Sequence, residues 1–171
     1  NYIHADVISA ESQYSLGLID ALHSKKLFLS VNGSDDEIRA FNDRECPLTE
    51  DYAVILGTYR YKALSDSYAV FRELQVHYTS KLRLKIIGDP GNIPPSMKSD
   101  TSIDILGLLP RETVIPILKL ARYYISTTTV ENSYNAASEG LFLAKESYIS
   151  AIPPHMELLS NTPTNSVRIP G

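Results

Sequence analysis

The chain has 171 residues, 43% hydrophobic and 21% charged, with a net charge of −4 at pH 7. That length suits one ordinary domain with a real core, and that balance excludes disordered and collagenous chains. Scattered basic residues argue against nucleic acid as a partner, the single Cys46 excludes an internal disulfide, and no apolar run approaches the roughly 20 residues of a membrane helix.

Asp6-Val7-Ile8 opens the chain as a short strand candidate. Tyr14, Leu18, Ala21 and Leu22 follow at helical spacing, and Leu27–Val31 reads as a second strand. Asn32-Gly33 marks a turn. Residues 34–51 are polar and acidic, carry Pro47, and read as a connector. From Tyr52 onward the sequence alternates. Ala53–Leu56 is a buried-strand run ending at Gly57, followed by a helix from about Ser65 with Val70, Phe71, Leu74 and Tyr78 on one face.

Leu82–Ile87 is the next strand and stops at Gly88. Its alternating Lys81, Arg83 and Lys85 read as one partly wet face of a strand. Ile103–Leu106 is a third strand of the series, ended by Gly107. Thr113 is placed to cap the helix after it, with Pro116 in the first turn and Val114, Ile117, Leu118 and Ala121 sharing a face. Tyr123–Ser126 is the fourth strand, Ala137, Gly140, Leu141 and Ala144 form a helical stripe, and Tyr148–Ala151 is a fifth strand. Strand and helix in strict alternation predict an α/β fold, a Rossmann-like doubly wound parallel sheet covered on both faces.

In such sheets ligands bind beyond the carboxyl ends of the strands. Gly57, Gly88, Gly107 and the loop from Thr127 to Asn135 all fall there. Glycine lets a backbone approach a ligand closely, and a helix amino terminus offers N–H groups to an anion, so a nucleotide diphosphate suits the arrangement. Glu131 and Glu139 lie two helical turns apart, with Glu131 best placed in the loop before the helix. A carboxylate accepts two hydroxyl hydrogen bonds at once. Apart from His155, no histidine (His4, His23, His77) has a plausible metal partner, and no serine or cysteine nucleophile motif is present.

The run from Tyr123 to Leu159 carries a family resemblance: a strand, a polar loop with Glu131, a helix with Glu139, then Ser150-Ala151-Ile152-Pro153-Pro154-His155-Met156-Glu157. In that order it resembles the donor-sugar half of a retaining glycosyltransferase of the GT-B type, family four. The resemblance covers about residues 50 to 160, with residues 1–33 similar to the tail of the other domain and Asn32-Gly33-Ser34-Asp35 to the crossing between the two. It implies an N-terminal tail segment (1–33), a linker (34–51) and a nucleotide-sugar-binding domain (52–171). It also implies a nucleoside-diphosphate sugar as substrate, with no cofactor and no obligatory metal. The acceptor, a glycan or lipid-linked, would come through a missing N-terminal domain. The chain begins at Asn1 and is expected to be part of something longer. The full protein would be cytoplasmic, with possible peripheral association at the inner face of the membrane.

Residue roles follow from the same resemblance. Glu131 would face the donor sugar and Glu139 the nucleotide ribose. Lys62, with Arg60, would clamp the diphosphate. Gly57, Gly88, Gly107 and Asn135 would bring backbone close to the donor. The chain departs from the family pattern at Thr58, where an arginine is usual, and at Ala63, where glycine is frequent. Two prolines before His155 and Glu157 are expected to fix a turn that those two side chains pin. A non-catalytic scaffold with a decayed clamp and a GT-B-like epimerase are the rival readings.

Overall fold

A computed structural model of the chain describes residues 5–20, 26–30, 38, 51–131, 134–160 and 167–168. The expected turn at Asn32-Gly33-Ser34-Asp35, together with Cys46 and Pro47, lies outside the described residues. Six parallel strands form the main sheet: β3 (Tyr52–Leu56), β4 (Arg83–Ile87), β5 (Ile103–Gly107), β6 (Tyr123–Ser126), β7 (Glu146–Ile149) and β8 (Val167–Arg168). Their order is β5-β4-β3-β6-β7-β8, and every pairing is parallel. From β3 the chain winds outward through β4 and β5, then returns to the other side of β3 to place β6. The switch point between β3 and β6 is where a crevice opens in a doubly wound sheet.

The strands are legible because a strand buried on both faces needs apolar residues at every position. Ala53 and Ile55 point to one core, with Leu84, Ile86, Tyr123 and Ile125. Tyr52 and Val54 point to the other, with Tyr124 and Ile149. Helix α2 (Leu64–His77) covers the first face through Leu64, Phe71 and Leu74. Each such fully buried Leu or Phe contributes about 1.5–3 kcal/mol relative to exposure. Tyr78 departs from the expected stripe. It falls one residue past the end of α2 and is exposed, with its ring edge tilted against Tyr123.

Helices α4 (Arg111–Leu120) and α5 (Asn135–Leu143) cover the second face through Ile115, Leu118, Ala137 and Leu143. A short helix, α3 (Pro95–Lys98), tucks Met97 into the first core. Helix α4 begins two residues before the expected Thr113 cap, because Pro110 has the fixed φ (−67°) that sets up a helix start. Pro116 consequently lies inside the helix, not in its first turn, and cannot donate to the Glu112 carbonyl. The expected strand Tyr148–Ala151 is shifted to Glu146–Ile149, in register with Tyr123–Ser126.

Where a turn was expected at Pro153-Pro154, a helix forms: α6 (Pro153–Ser160). Proline at the first helical positions forfeits no hydrogen bond, since those N–H groups have no acceptor within the helix. The basic face of β4 is partly wet, as expected, with Lys81 exposed and Arg83 and Lys85 half-buried, and it is also tied sideways. Arg83 Nε donates to Asp104 of β5 at 2.9 Å, and the Lys85 ammonium lies 3.7 Å from the Tyr52 ring centroid.

The amino-terminal segment builds a separate two-stranded parallel sheet from β1 (Val7–Ala10) and β2 (Lys26–Leu29), joined by α1 (Gln13–Asp20). Ser12 Oγ accepts from the Ser15 N–H and caps α1. The carboxylate of Glu157 in α6 accepts from the Gln13 and Tyr14 N–H groups at 2.9 and 3.3 Å, where the helix dipole favours negative charge. Glu157 thus fastens the small sheet to the large domain. Ile38, in the expected linker, is 1% exposed and belongs to the second core. None of the described helices is long and apolar enough to cross a membrane.

Candidate functional site

Three loops leave the carboxyl ends of β3, β6 and β7 and are stitched together. The Tyr61 carbonyl accepts from the Thr129 N–H at 2.9 Å and from the Thr128 hydroxyl at 3.1 Å. The Thr127 hydroxyl donates to the Ala63 carbonyl at 3.0 Å and meets the Ser67 hydroxyl at 2.7 Å. The Ser150 hydroxyl donates to the Thr128 carbonyl at 2.6 Å. These hydrogen bonds satisfy loop carbonyls from within the chain and fix the loops relative to one another.

This stitching brings Lys62 to Glu131. Lys62 ends the 3₁₀ turn after β3 (Arg60–Lys62), Glu131 lies in the loop after β6, and the ammonium donates to Glu131 Oε1. Only 11% of the lysine side chain and 9% of the glutamate side chain are exposed. Glu131 lies before α5, as its expected role requires. Arg60, by contrast, is exposed, and no hydrogen bond or ion pair ties it to Glu131 among the described residues.

Glu139 is buried in the middle of α5, and Arg111 Nη1 donates to its Oε1 at 2.6 Å. The phenol of Tyr124, the second residue of β6, is close enough to feel both carboxylates. Burial pushes its pKa far up, the Ser126 hydroxyl opposes that, and Glu131 and Glu139 add to it. Gly140 sits on the Tyr124 ring so closely that a methyl there would overlap it. A hydrogen at position 140 therefore lets α5 carry Glu139 down to the sheet edge.

The three strand-ending glycines share a left-handed backbone: Gly57 (φ +83°), Gly88 (φ +153°) and Gly107 (φ +73°). A side chain at Gly88 would strike Thr58, one at Gly57 would touch the Lys62 stem, and one at Gly107 would meet open space. Thr58 is 3% exposed, and its hydroxyl donates to the Asp89 carbonyl at 2.9 Å. It is a tie between the β3 and β4 loops and presents no cation. Asn135 is exposed at the first position of α5, beside helix N–H groups that lack an acceptor within the helix.

His155 is fully buried in α6. Its Nδ1 lies 2.9 Å from the Ser150 carbonyl, so Nδ1 carries the proton and Nε2 is left as an acceptor with no partner among the described residues. Burial lowers its pKa, the Ser150 hydrogen bond and Glu131 raise it, and Lys62 lowers it. Among the described residues no cluster of histidine, cysteine, aspartate or glutamate could hold a metal ion. A shallow surface cavity of about 600 Å³ lined by Arg72, Gln75, Asp100 and Thr101 lies at the other end of α2, away from these groups.

Sequence reasoning missed Arg111. A cation in the first turn of a helix opposes the dipole, which was the available hint that Arg111 has another partner. It also missed the stitches of Thr127 and Thr128 to Ala63, Ser67 and Tyr61, which join residues 60 and more positions apart.

No protein-family model and no curated protein matches the chain. Solved structures do. The chain has the Rossmann-like fold of one half of a GT-B glycosyltransferase. OtsA in its apo form is similar with a TM-score of 0.72 at 11% identity, over 96% of this chain and 49% of that one. The E. coli trehalose-6-phosphate enzyme bound with UDP-2-fluoro glucose gives 0.67 at 11%, over the same shares. The pneumococcal O-GlcNAc transferase GtfA, in complex with UDP and GlcNAc, gives 0.64 at 12%, over 87% of this chain and 31% of that one. The chain thus spans about half the length of the first two, and identities this low speak to fold alone.

Proposed function

We propose that this chain is the donor-binding half of a retaining glycosyltransferase, holding a nucleoside-diphosphate sugar at the switch point between β3 and β6. The observation that carries the reading is the Lys62–Glu131 pair: a cation from one loop and a carboxylate from the other, both nearly buried, at the edge where such sheets bind ligands. The ammonium suits the diphosphate and the carboxylate suits sugar hydroxyls. Glu139 would take the ribose, while Gly57, Gly88, Gly107 and the start of α5 at Asn135 would let backbone approach the phosphates. Arg60 is exposed on the Lys62 turn and would serve as a second cation at the rim.

In the transfer, the anomeric C–O bond breaks and its electron pair leaves on the diphosphate. The acceptor hydroxyl oxygen bonds to the anomeric carbon on the face the diphosphate vacates, and its proton passes to a diphosphate oxygen. Lys62 would stabilise the charge gathering on that leaving group, the place where stabilisation raises the rate. The reading needs neither a cofactor nor a metal. The glycan or lipid-linked acceptor would be supplied by an N-terminal domain to which residues 1–33 belong, in a cytoplasmic protein peripheral to the membrane and acting in polysaccharide biosynthesis.

Thr58 favours one second reading, a sugar-nucleotide-binding scaffold without catalysis, because the usual arginine place is spent on a loop tie. A thermal-shift panel of uridine, guanosine and adenosine diphosphates and their glucose adducts tests the donor binding that both readings require. Ligands bound only by the folded chain raise its melting temperature. A shift with at least one nucleotide sugar supports donor binding, and no shift with any of them refutes it.

A further inference from the structure

The groups assigned to the two ends of the donor are bonded to each other. The ammonium that would take the diphosphate is neutralised by the carboxylate that would take the sugar. Both side chains are about nine-tenths buried, so neither is screened by water and neither can be released cheaply. The loops that carry them are locked: Thr128 and Thr129 hold the Tyr61 carbonyl, and Thr127 holds the Ala63 carbonyl on either side of Lys62. The pair therefore cannot dissolve by the loops drifting apart.

We propose that the Lys62–Glu131 pair is a specificity latch that makes the site select an intact nucleotide sugar over the bare nucleoside diphosphate. This rests on the donor-binding reading above. A bare diphosphate can draw Lys62 away only by leaving Glu131 buried, charged and unpaired, facing an anion. Removing one partner of a buried pair is the costly event, far more so than the pair's net worth. A nucleotide sugar takes both groups at once: its phosphates replace Glu131 on the ammonium, and its hydroxyls replace Lys62 on the carboxylate. The sugar then contributes more than its own hydrogen bonds, because it removes the penalty of opening the latch. The spent nucleotide, having lost its sugar, is rejected as Lys62 and Glu131 pair again, which favours product release.

Calorimetry of the native chain and Glu131→Gln, with a nucleoside diphosphate and the matching nucleotide sugar (UDP and UDP-glucose first, then GDP and ADP with their glucose adducts), tests this directly. The latch requires Glu131→Gln to bind the bare diphosphate more tightly than the native chain, by about tenfold. The affinity ratio between nucleotide sugar and bare diphosphate, large in the native chain, should fall towards one in the variant. Lys62→Met should weaken both ligands, and circular dichroism with melting curves establishes that each variant folds. If Glu131→Gln is destabilised, Glu131→Asp, which shortens the reach to Lys62, should show the same tightening to a smaller degree. Diphosphate affinity unchanged or weakened in Glu131→Gln, with nucleotide sugar still bound by the native chain, overturns the latch and leaves donor binding standing. Binding of neither ligand by the native chain overturns both.

Discussion

Arg111 Nη1 lies 2.6 Å from Glu139 Oε1, joining the first residue of α4 to the middle of α5 across the mouth of the sheet. Glu139 is 8% exposed, so this guanidinium is what makes its burial tolerable. Arg111→Ala should cost about 1–2 kcal/mol, towards the low end of a charged hydrogen bond because the arginine is partly in water. Arg111→Lys should recover part of that loss. Urea unfolding of the three proteins checks the order, and an unchanged midpoint for Arg111→Ala would mean that water serves Glu139 equally well.

Gly140→Ala is the sharpest test of the packing that positions Glu139. Alanine is the better helix former by about 1 kcal/mol, so propensity alone predicts a gain. The methyl would overlap the buried Tyr124 ring, and overpacking of that kind costs about 1–3 kcal/mol. The clash should win. A lower melting temperature is expected, and a higher one would mean that α5 can lift off β6 freely.

Ala63 is the one non-glycine with positive φ among the described residues, at φ +46° and ψ +54°. Its carbonyl accepts from the Thr127 hydroxyl, which holds it there. A left-handed residue with a side chain costs about 1–2 kcal/mol, while glycine in the unfolded chain costs about 0.4–1 kcal/mol in entropy. Ala63→Gly should therefore be neutral or slightly stabilising, and Ala63→Val clearly destabilising. Equilibrium unfolding that ranks valine above alanine would contradict this backbone geometry.

Stability should depend on His155 at mildly acidic pH. Burial holds the folded pKa of His155 below its ordinary 6.5, against the Ser150 hydrogen bond and Glu131. Between those two values the unfolded chain binds more protons, so stability rises with pH there. The contribution of His155 is complete above about 6.5 and is lost as pH falls from there through the lowered folded pKa. His155→Gln should flatten the stability curve over that interval. Asp100, held low by the Ser102 and Tyr68 hydroxyls, and Asp104, held low by Arg83, act only further into acid. Identical pH profiles for the native chain and His155→Gln would contradict a neutral buried imidazole.

Much of the fold was legible because its strands are apolar at successive positions and its helices show one apolar face, both local signals. Gly57, Gly88 and Gly107 were legible for the same reason, since each ends an apolar run. The small sheet β1–β2 was half legible: its strands were, but not what fastens it, because Glu157 and Gln13 stand 144 positions apart. Helix α6 was hidden because two adjacent prolines suit a turn and a helix start alike. Glu131 and Lys62 could each be singled out through the family resemblance. That they bind each other, across 69 positions, could not. Arg111 was invisible until α5 lay against α4.

The central claim is that the site lies where the loops after β3 and β6 meet, and amide chemical-shift mapping of the nitrogen-15-labelled chain tests it most directly. On titration with a nucleoside-diphosphate sugar, the account predicts the largest shifts at Gly57, Lys62, Gly88, Gly107, Thr128 and Glu131. Little change is predicted at Arg72, Gln75 and Thr101, which line the cavity at the other end of α2. Shifts concentrated at Arg72, Gln75 and Thr101, or absent throughout, would contradict it.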